Sequence, residues 1–150
     1  SVLRAGVSIG ARCRIGPFVH LRPGTVVGDD VRLGNFVEVK ASVIGDGSAA
    51  AHLAYLGDAT LGRDVNVGAG TITANWDGDT HHPTVVGDGA RLGSGTMLVG
   101  PTSVGSDART GAGSVILPSR PVAEGETVVG APARSVGRKK KQPSRKKRRS

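Results

Sequence analysis

The side chains best suited to chemistry in this chain are concentrated around the stretch from His52 to Asn75, where the surrounding sequence is mostly Gly, Ala and Val. His52 and Tyr55 supply an imidazole and a phenol, which can exchange protons with a substrate. Arg22 and Lys40 lie earlier in the chain and together suit a phosphate group, because arginine offers a planar fork of donors and lysine a point charge. A solvated surface position is the usual interpretation for His52 taken alone and an equal alternative for Arg22 and Lys40, so the relative placement of these residues decides between the two.

A six-residue repeat determines that placement. Period six fits neither a helix nor an alternating strand, but it is typical of a coil of three short parallel strands, with successive coils stacked about 4.8 Å apart. The sequence therefore predicts an all-β, single-domain parallel β-helix of six to seven coils over residues 1–137. The repeated aliphatic or small residues are Leu3, Ile9, Ile15, Leu21, Val27, Leu33, Val39, Ile44, Ala50, Leu56, Leu61, Val67, Val86, Leu92, Leu98, Val104, Thr110 and Ile116.

The repeat is interrupted, which a purely structural rod would not require. One residue is dropped after Val39 and another after Leu56, and a polar insertion of about residues 73–85 follows. This insertion contains the turn signal Asp77-Gly78 and is predicted to project as a loop. The period is expected to end near Ile116.

Stacking the coils brings Arg22 and Lys40 together. Each follows the aliphatic residue that begins the same face, so the two are expected to lie in one outward column with Gly57. That column holds no carboxylate, and stacked like charges disfavour each other unless an anion binds between them. Tyr55 is predicted beside this column and His52 on the adjoining face, so that the imidazole, the phenol and the cations converge at one edge.

Two further positions follow from the same stacking. Glu38 is expected directly below Tyr55, where it could orient a neighbouring group. Asn66 is expected near another corner, from which it reaches this pocket only if a second subunit supplies it.

Five segments together resemble a known family, the acetyltransferase domains of bifunctional bacterial N-acetylglucosamine-1-phosphate uridyltransferase/glucosamine-1-phosphate acetyltransferases, which are hexapeptide-repeat acyltransferases. The resemblance covers roughly residues 3–117 and is most specific where HLxYLGDA is followed by NxGAGTxxxNxDG. It implies a left-handed β-helix, a homotrimer, and transfer of acetyl from acetyl-CoA to the amine of glucosamine 1-phosphate without a metal. The five segments are VHLRPGT, GNFVEVK, AHLAYLGDA, VNVGAGTITANWDG and LGSGTMLVGPTSVG.

The resemblance also assigns roles to residues. His52 matches the catalytic base, and the sugar-phosphate ligands and coenzyme contacts match positions on several coils. The implied sugar-phosphate ligands are Arg22, Lys40, Tyr55 and Asn66, and the implied coenzyme contacts are Ala69, Asn75, Trp76, Ser94 and Ala112.

This sequence departs from the family pattern in four respects. Trp76 stands where the family usually has Tyr, and His81 or a neighbour stands where the family has a basic residue. The ending VVGAPARSVG resembles other hexapeptide acyltransferases rather than the long C-terminal arm. No nucleotidyltransferase domain precedes the repeat, which predicts either a fragment of the bifunctional enzyme or a stand-alone acetyltransferase.

Composition sets the remaining expectations. Of the net charge of +8, nine positive charges belong to residues 138–150, which contain no acid; this segment is predicted to be a disordered basic tail, and the rest of the chain is near neutral. The single Cys13 excludes an intramolecular disulfide and fits a reducing compartment. With no apolar run long enough to span a membrane, a cytoplasmic location is expected.

Three other functions remain open at this point. The chain could be another hexapeptide-repeat acyltransferase that acts on an amino sugar. It could be a metalloenzyme of the γ-carbonic anhydrase type, which needs three histidine ligands from among His20, His52, His81 and His82. It could also be a trimeric binding module whose basic tails contact polyanions in a salt-dependent way.

Overall fold

The computed structural model describes residues 1–136. The predicted basic tail, residues 138–150, lies outside the described residues. Residues 1–136 form an all-β, left-handed parallel β-helix of about seven turns, as the repeat and the resemblance together predict. In this part of the chain there is no helix long and apolar enough to cross a membrane.

The strands of successive turns stack into three faces, here named A, B and C. Face A consists of β1 (Val2–Leu3), β4 (His20–Leu21), β7 (Glu38–Lys40), β10 (Tyr55–Gly57), β13 (Ile72–Ala74), β16 (Met97–Val99) and β19 (Val115–Ile116). Face B consists of β2 (Ser8–Ile9), β5 (Val26–Val27), β8 (Val43–Ile44), β11 (Ala59–Leu61), β14 (Thr84–Val86) and β17 (Thr102–Val104). Face C consists of β3 (Arg14–Ile15), β6 (Arg32–Asn35), β9 (Ala49–His52), β12 (Asn66–Val67), β15 (Arg91–Leu92), β18 (Arg109–Thr110), β20 (Thr127–Val129) and β21 (Arg134–Ser135).

The core is a set of vertical columns of inward-facing aliphatic side chains. On face A, Leu21 pairs in register with Val39, and Val39 with Leu56, and none of the three is exposed to solvent. Small hydroxyl residues occupy the inward position at several turns, where Ser42 Oγ accepts the amide of Ala59 and donates to a main-chain carbonyl. Because every coil repeats the same inward positions, an outward side chain is placed directly above its counterpart one coil below.

The corner between faces C and A differs between its lower and upper halves. Phe18, Phe36 and Leu53 occupy it on the lower coils with positive φ angles of 56°, 60° and 49°, and about 60% of each side chain is exposed. The two phenyl rings stack with centroids 5.3 Å apart. The upper coils carry glycine at this corner, Gly70, Gly95 and Gly113, each also with positive φ. The corner is therefore bulky and apolar below and bare above.

Two sequence-based boundaries need correction. The insertion is shorter than predicted, because residues 72–74 and 84–86 are strands of the helix and only residues 75–83 leave it. The repeat also continues beyond Ile116, since Val122 bridges to Val104 and β20 pairs in parallel with β18. After β20 the chain reverses, and β21 pairs with it antiparallel.

Candidate active site

Arg22, Lys40 and Gly57 lie in one outward column on face A, as the repeat predicts. Gly57 is the register partner of Lys40, and the amide of Arg22 bonds the carbonyl of Val39. The column itself holds no carboxylate, as predicted, but both cations reach carboxylates that lie outside it. Arg22 Nη1 lies 2.9 Å from a Glu38 oxygen, and Lys40 Nζ lies 3.3 Å from Asp58 Oδ2. Long side chains reach carboxylates of neighbouring columns, so reasoning along one column overlooked both partners.

Asp58 is the centre of the most connected polar cluster of this site. Its Oδ2 atom accepts hydrogen bonds from Lys40 Nζ and from Asn75 Nδ2, and it lies 3.0 Å from His81 Nδ1. The Asp58 side chain is 21% exposed, so these contacts are only partly shared with water. Its carbonyl also accepts the amide of Thr84, where the chain returns to the helix. Asp58 therefore joins the cation column to both ends of the insertion.

Tyr55 extends this cluster across face A. It pairs in register with Glu38 below and Ile72 above, which confirms the predicted position of Glu38. A Cβ atom at Gly57 would collide with the Tyr55 hydroxyl and the Asn75 amide, so both groups lie over this glycine. The absence of a side chain at Gly57 therefore lets the Tyr55 phenol lie close to Asn75 and the cluster around Asp58.

The insertion is held by contacts of its own. Asn75 is 5% exposed and its carbonyl accepts the amide of His82, whereas Trp76 is 53% exposed. Trp76 and His81 form an isolated antiparallel bridge, with their ring centroids 4.8 Å apart. Asn75 is thus an anchor at the base of the insertion, and Trp76 presents its indole to solvent.

Asp77 closes the turn of the insertion. Its Oδ1 accepts the amides of Thr80 and Asp79 at 2.7 and 2.8 Å, and its Oδ2 lies 2.6 Å from His82 Nε2. The Thr80 amide above all, and then His82, hold the pKa of the Asp77 carboxyl well below its usual range. The ionised carboxylate is therefore part of the folded turn.

His52 lies on the other side of strand β10 from the cation column. It is the last residue of β9 on face C, is exposed, and stands in register above Asn35. Leu53 and Ala54 form the corner that separates it from Tyr55. The groups predicted to converge at one edge therefore lie along the outer face of strand β10 instead. The imidazole is at one end of this strand and the Lys40–Asp58 pair is at the other.

Above His52 the coils carry a column of small side chains. The register places Ala69 over His52, Ser94 over Ala69, and Ala112 over Ser94. Main-chain bonds from Gly95 and Gly113 to the residues one coil below support this order. With coils about 4.8 Å apart, the column extends roughly 14 Å from His52. The predicted base and three of the predicted coenzyme contacts therefore form one continuous strip beside the bare glycine corner.

Asn66 lies away from both groups, exposed on face C, in register with Ala49 below and Arg91 above. This agrees with the expectation that it belongs to a different corner of the same subunit. Residues 1–136 contain no group of three or more His, Cys, Asp or Glu side chains placed to hold a metal ion.

Two residues of the cluster were not assigned as ligands from sequence. Asp58 sits inside the quoted segment AHLAYLGDA, directly after Gly57, and its φ of 49° is one that Asp tolerates better than most residues. A short polar residue following a glycine within the repeat was the available signal. The contact of His81 depends on the path of the insertion, which no period predicts.

Two models of known protein families match parts of this chain. The family model described as bacterial transferase hexapeptide (six repeats) matches residues 6–41, and that described as hexapeptide repeat of succinyl-transferase matches residues 83–118. The chain therefore resembles hexapeptide-repeat transferases over these two separate stretches.

Similar full-length proteins are known from several bacteria. The bifunctional protein GlmU of Alkalilimnicola ehrlichii is 58% identical over 96 residues, which is 64% of this chain and 21% of that protein. The GlmU of Marinobacter nauticus is 53% identical over 124 residues, 83% of this chain and 27% of that protein. The chain thus spans about a quarter or less of the length of these relatives.

Among solved structures, the acetyltransferase domain of PglB from Neisseria gonorrhoeae superimposes with a TM-score of 0.73 at 28% identity, over 83% of this chain and 57% of that one. The same domain in complex with acetyl coenzyme A superimposes with a TM-score of 0.61.

Proposed function

We propose that this hexapeptide-repeat chain transfers the acetyl group of acetyl-CoA to the amine of glucosamine 1-phosphate, giving N-acetylglucosamine 1-phosphate. The observation that carries the proposal is the single strip formed by His52, Ala69, Ser94 and Ala112, beside a face that bears Tyr55 and two cations. The identity of 53–58% to two GlmU proteins supports it. The product would serve the synthesis of UDP-N-acetylglucosamine for the cell wall.

His52 is proposed as the general base of this reaction. The amine nitrogen attacks the thioester carbonyl, His52 takes up the proton that the nitrogen loses, and the coenzyme leaves as its thiolate. An exposed imidazole without a hydrogen-bond partner in residues 1–136 is free to receive that proton. The strip of small residues above it leaves room for a long, narrow co-substrate. The solved complex of the similar PglB domain with acetyl coenzyme A supports acetyl-CoA as that co-substrate.

The sugar phosphate is assigned to the face on the other side of β10. Arg22, Lys40 and Tyr55 are proposed as its ligands, with Asn66 supplied by a neighbouring subunit. Arg22 is paired with Glu38 at side-chain exposures of 40% and 38%, so a phosphate would compete with a solvated ion pair of small net strength. Lys40, held by Asp58 at lower exposure, is the more fixed of the two cations.

The proposed assembly is a homotrimer. Exposed apolar side chains support it, since Val26, Val43 and Val85 form part of one outward column of face B. Asn66, on a different face from Tyr55, takes part in the site only across a subunit boundary. Sedimentation at micromolar concentration tests this, and an active monomer would contradict it.

Two further assignments complete the proposal. We place the reaction in the cytoplasm, where the single thiol of Cys13 stays reduced. Contact of residues 138–150 with polyanions stays a prediction.

The test of the proposed function is an acetyl-CoA consumption assay with glucosamine 1-phosphate, glucosamine and UDP-glucosamine side by side. We expect glucosamine 1-phosphate to be the preferred acceptor. Preference for UDP-glucosamine would instead favour an acyltransferase for nucleotide-linked amino sugars, and absence of thioester cleavage with all three would refute acetyl transfer to these acceptors.

A further inference from the structure

Face C carries an outward column in which arginines occur in two register pairs. Arg14 pairs with Arg32 on the lowest coils, and Arg91 pairs with Arg109 on the upper coils. Ala49 and Asn66 lie between the two pairs. All four arginines are exposed. The upper pair therefore stands directly above Asn66 in the same column.

Within residues 1–136, no carboxylate forms an ion pair with either arginine of the upper pair. Arg12, Arg22, Lys40 and Arg63 all form ion pairs with aspartate or glutamate, but Arg91 and Arg109 form none with any residue in the described part of the chain. Like charges directly opposite each other on neighbouring strands are destabilising. An anion bound between the two guanidinium groups would replace this repulsion with charge-assisted hydrogen bonds.

The position of Arg91 and Arg109 on the upper coils indicates which anion would bind between them. Arg91 and Arg109 begin the strands that lead, three residues later, to Ser94 and Ala112 of the proposed coenzyme strip. The strip extends roughly 14 Å from His52, so a co-substrate whose thioester lies at His52 would carry its far end to these upper coils. In the proposed trimer, the subunit that contributes Asn66 to the site also presents both arginines above it.

We propose that Arg91 and Arg109 form a binding site for the phosphate groups of acetyl-CoA. The proposal rests on the proposed function, in that acetyl-CoA is the acyl donor. A guanidinium fork matches two phosphate oxygens at once, and two forks stacked about 4.8 Å apart suit a ligand with more than one phosphate. The site needs no contribution from the acceptor sugar.

The test measures the affinity for acetyl-CoA by calorimetry in R91A, R109A and the double variant. The matched control is R14A/R32A, which removes the other exposed register pair of the same column at the far end of the helix. We expect the double variant to raise the Kd for acetyl-CoA by about 10- to 100-fold, with a shallower salt dependence, and the control to change it less than about twofold. Because all four residues are exposed, none of these substitutions should prevent folding.

A phosphate-free donor completes the design. S-acetylpantetheine should bind the wild type and the R91A/R109A double variant equally, since it lacks the groups that the arginines recognise. The proposal is overturned if the double variant binds acetyl-CoA like the wild type, if it loses both donors equally, or if the control weakens acetyl-CoA as much. Failure of the wild type to bind acetyl-CoA also overturns it. Arginine-dependent binding without transfer to glucosamine 1-phosphate would refute only the proposed acceptor.

Discussion

Replacement of Asp58 by asparagine tests the cluster that joins the cation column to the insertion. The substitution keeps the shape of the side chain and tolerates the positive φ of 49°, but it removes the negative charge that faces Lys40, Asn75 and His81. Asparagine keeps an oxygen that can face the same donors as Asp58 Oδ2, but that oxygen carries no formal charge, so the bond from Lys40 loses its charge assistance at the acceptor.

The expected loss follows from the number and exposure of these contacts. Hydrogen bonds to a charged group contribute about 1.5–3 kcal/mol. The 21% exposure of Asp58 and the acceptor oxygen retained in asparagine place the net loss at the lower end of that range, at about 1–2 kcal/mol. For a domain of this size each kcal/mol lowers Tm by roughly 3–5 °C, so D58N should melt about 3–10 °C lower.

The assay combines calorimetry with limited proteolysis of the insertion, and the matched control is D107N. Asp107 has a similar φ of 55° at a corner turn but holds no comparable set of donors among residues 1–136. We expect D58N to be cleaved within residues 75–83 at least several-fold faster than the wild type, with D107N close to the wild type. Equal melting temperatures and equal cleavage of D58N and D107N would refute the role assigned to Asp58.

Three further predictions concern other parts of the molecule. In the fold the pKa of the Asp77 carboxyl lies below its ordinary value, so the stabilisation of the insertion by this carboxylate is fully present above about pH 4 and is lost as the pH falls from there toward the folded pKa. Proteolysis of residues 75–83 in the wild type should therefore become faster as the pH is lowered through this range. A rate of proteolysis that does not change with pH would contradict this role of Asp77. G34A should destabilise the chain by about 1–3 kcal/mol, because a Cβ atom there would collide with the carbonyl of Ala51 on the next coil. Melting of G34A at the wild-type temperature would contradict the close approach. Arg22→Ala should raise KM for glucosamine 1-phosphate with little change in kcat, because a phosphate contact is present in both the ground state and the transition state; an equal rise in KM for acetyl-CoA would contradict this placement.

The six-residue period predicted the parts of the structure that depend on stacking alone. The column of Arg22, Lys40 and Gly57 and the placement of Glu38 below Tyr55 follow from counting residues along the repeat. The extra coil after Ile116 was also within reach, since Val122 and Val128 continue the period and both are buried.

The remaining features depend on side-chain reach and on the irregular insertion. Arg22 and Lys40 find their carboxylates outside their own column, which a count along one column does not test. The contact of His81 with Asp58 depends on how residues 75–83 return to the helix. A repeat fixes backbone register, whereas these contacts are set by rotamers and by a segment that has no repeat.

The central claim is that His52 is the base of an acetyltransferase site, and steady-state kinetics of His52→Ala with acetyl-CoA and glucosamine 1-phosphate tests it most directly. Removal of a positioned general base should lower kcat by roughly 10²- to 10⁴-fold. KM for glucosamine 1-phosphate should change little, because His52 lies at the other end of β10 from Arg22 and Lys40. A near-normal kcat in this variant, with the wild type active, would contradict the account.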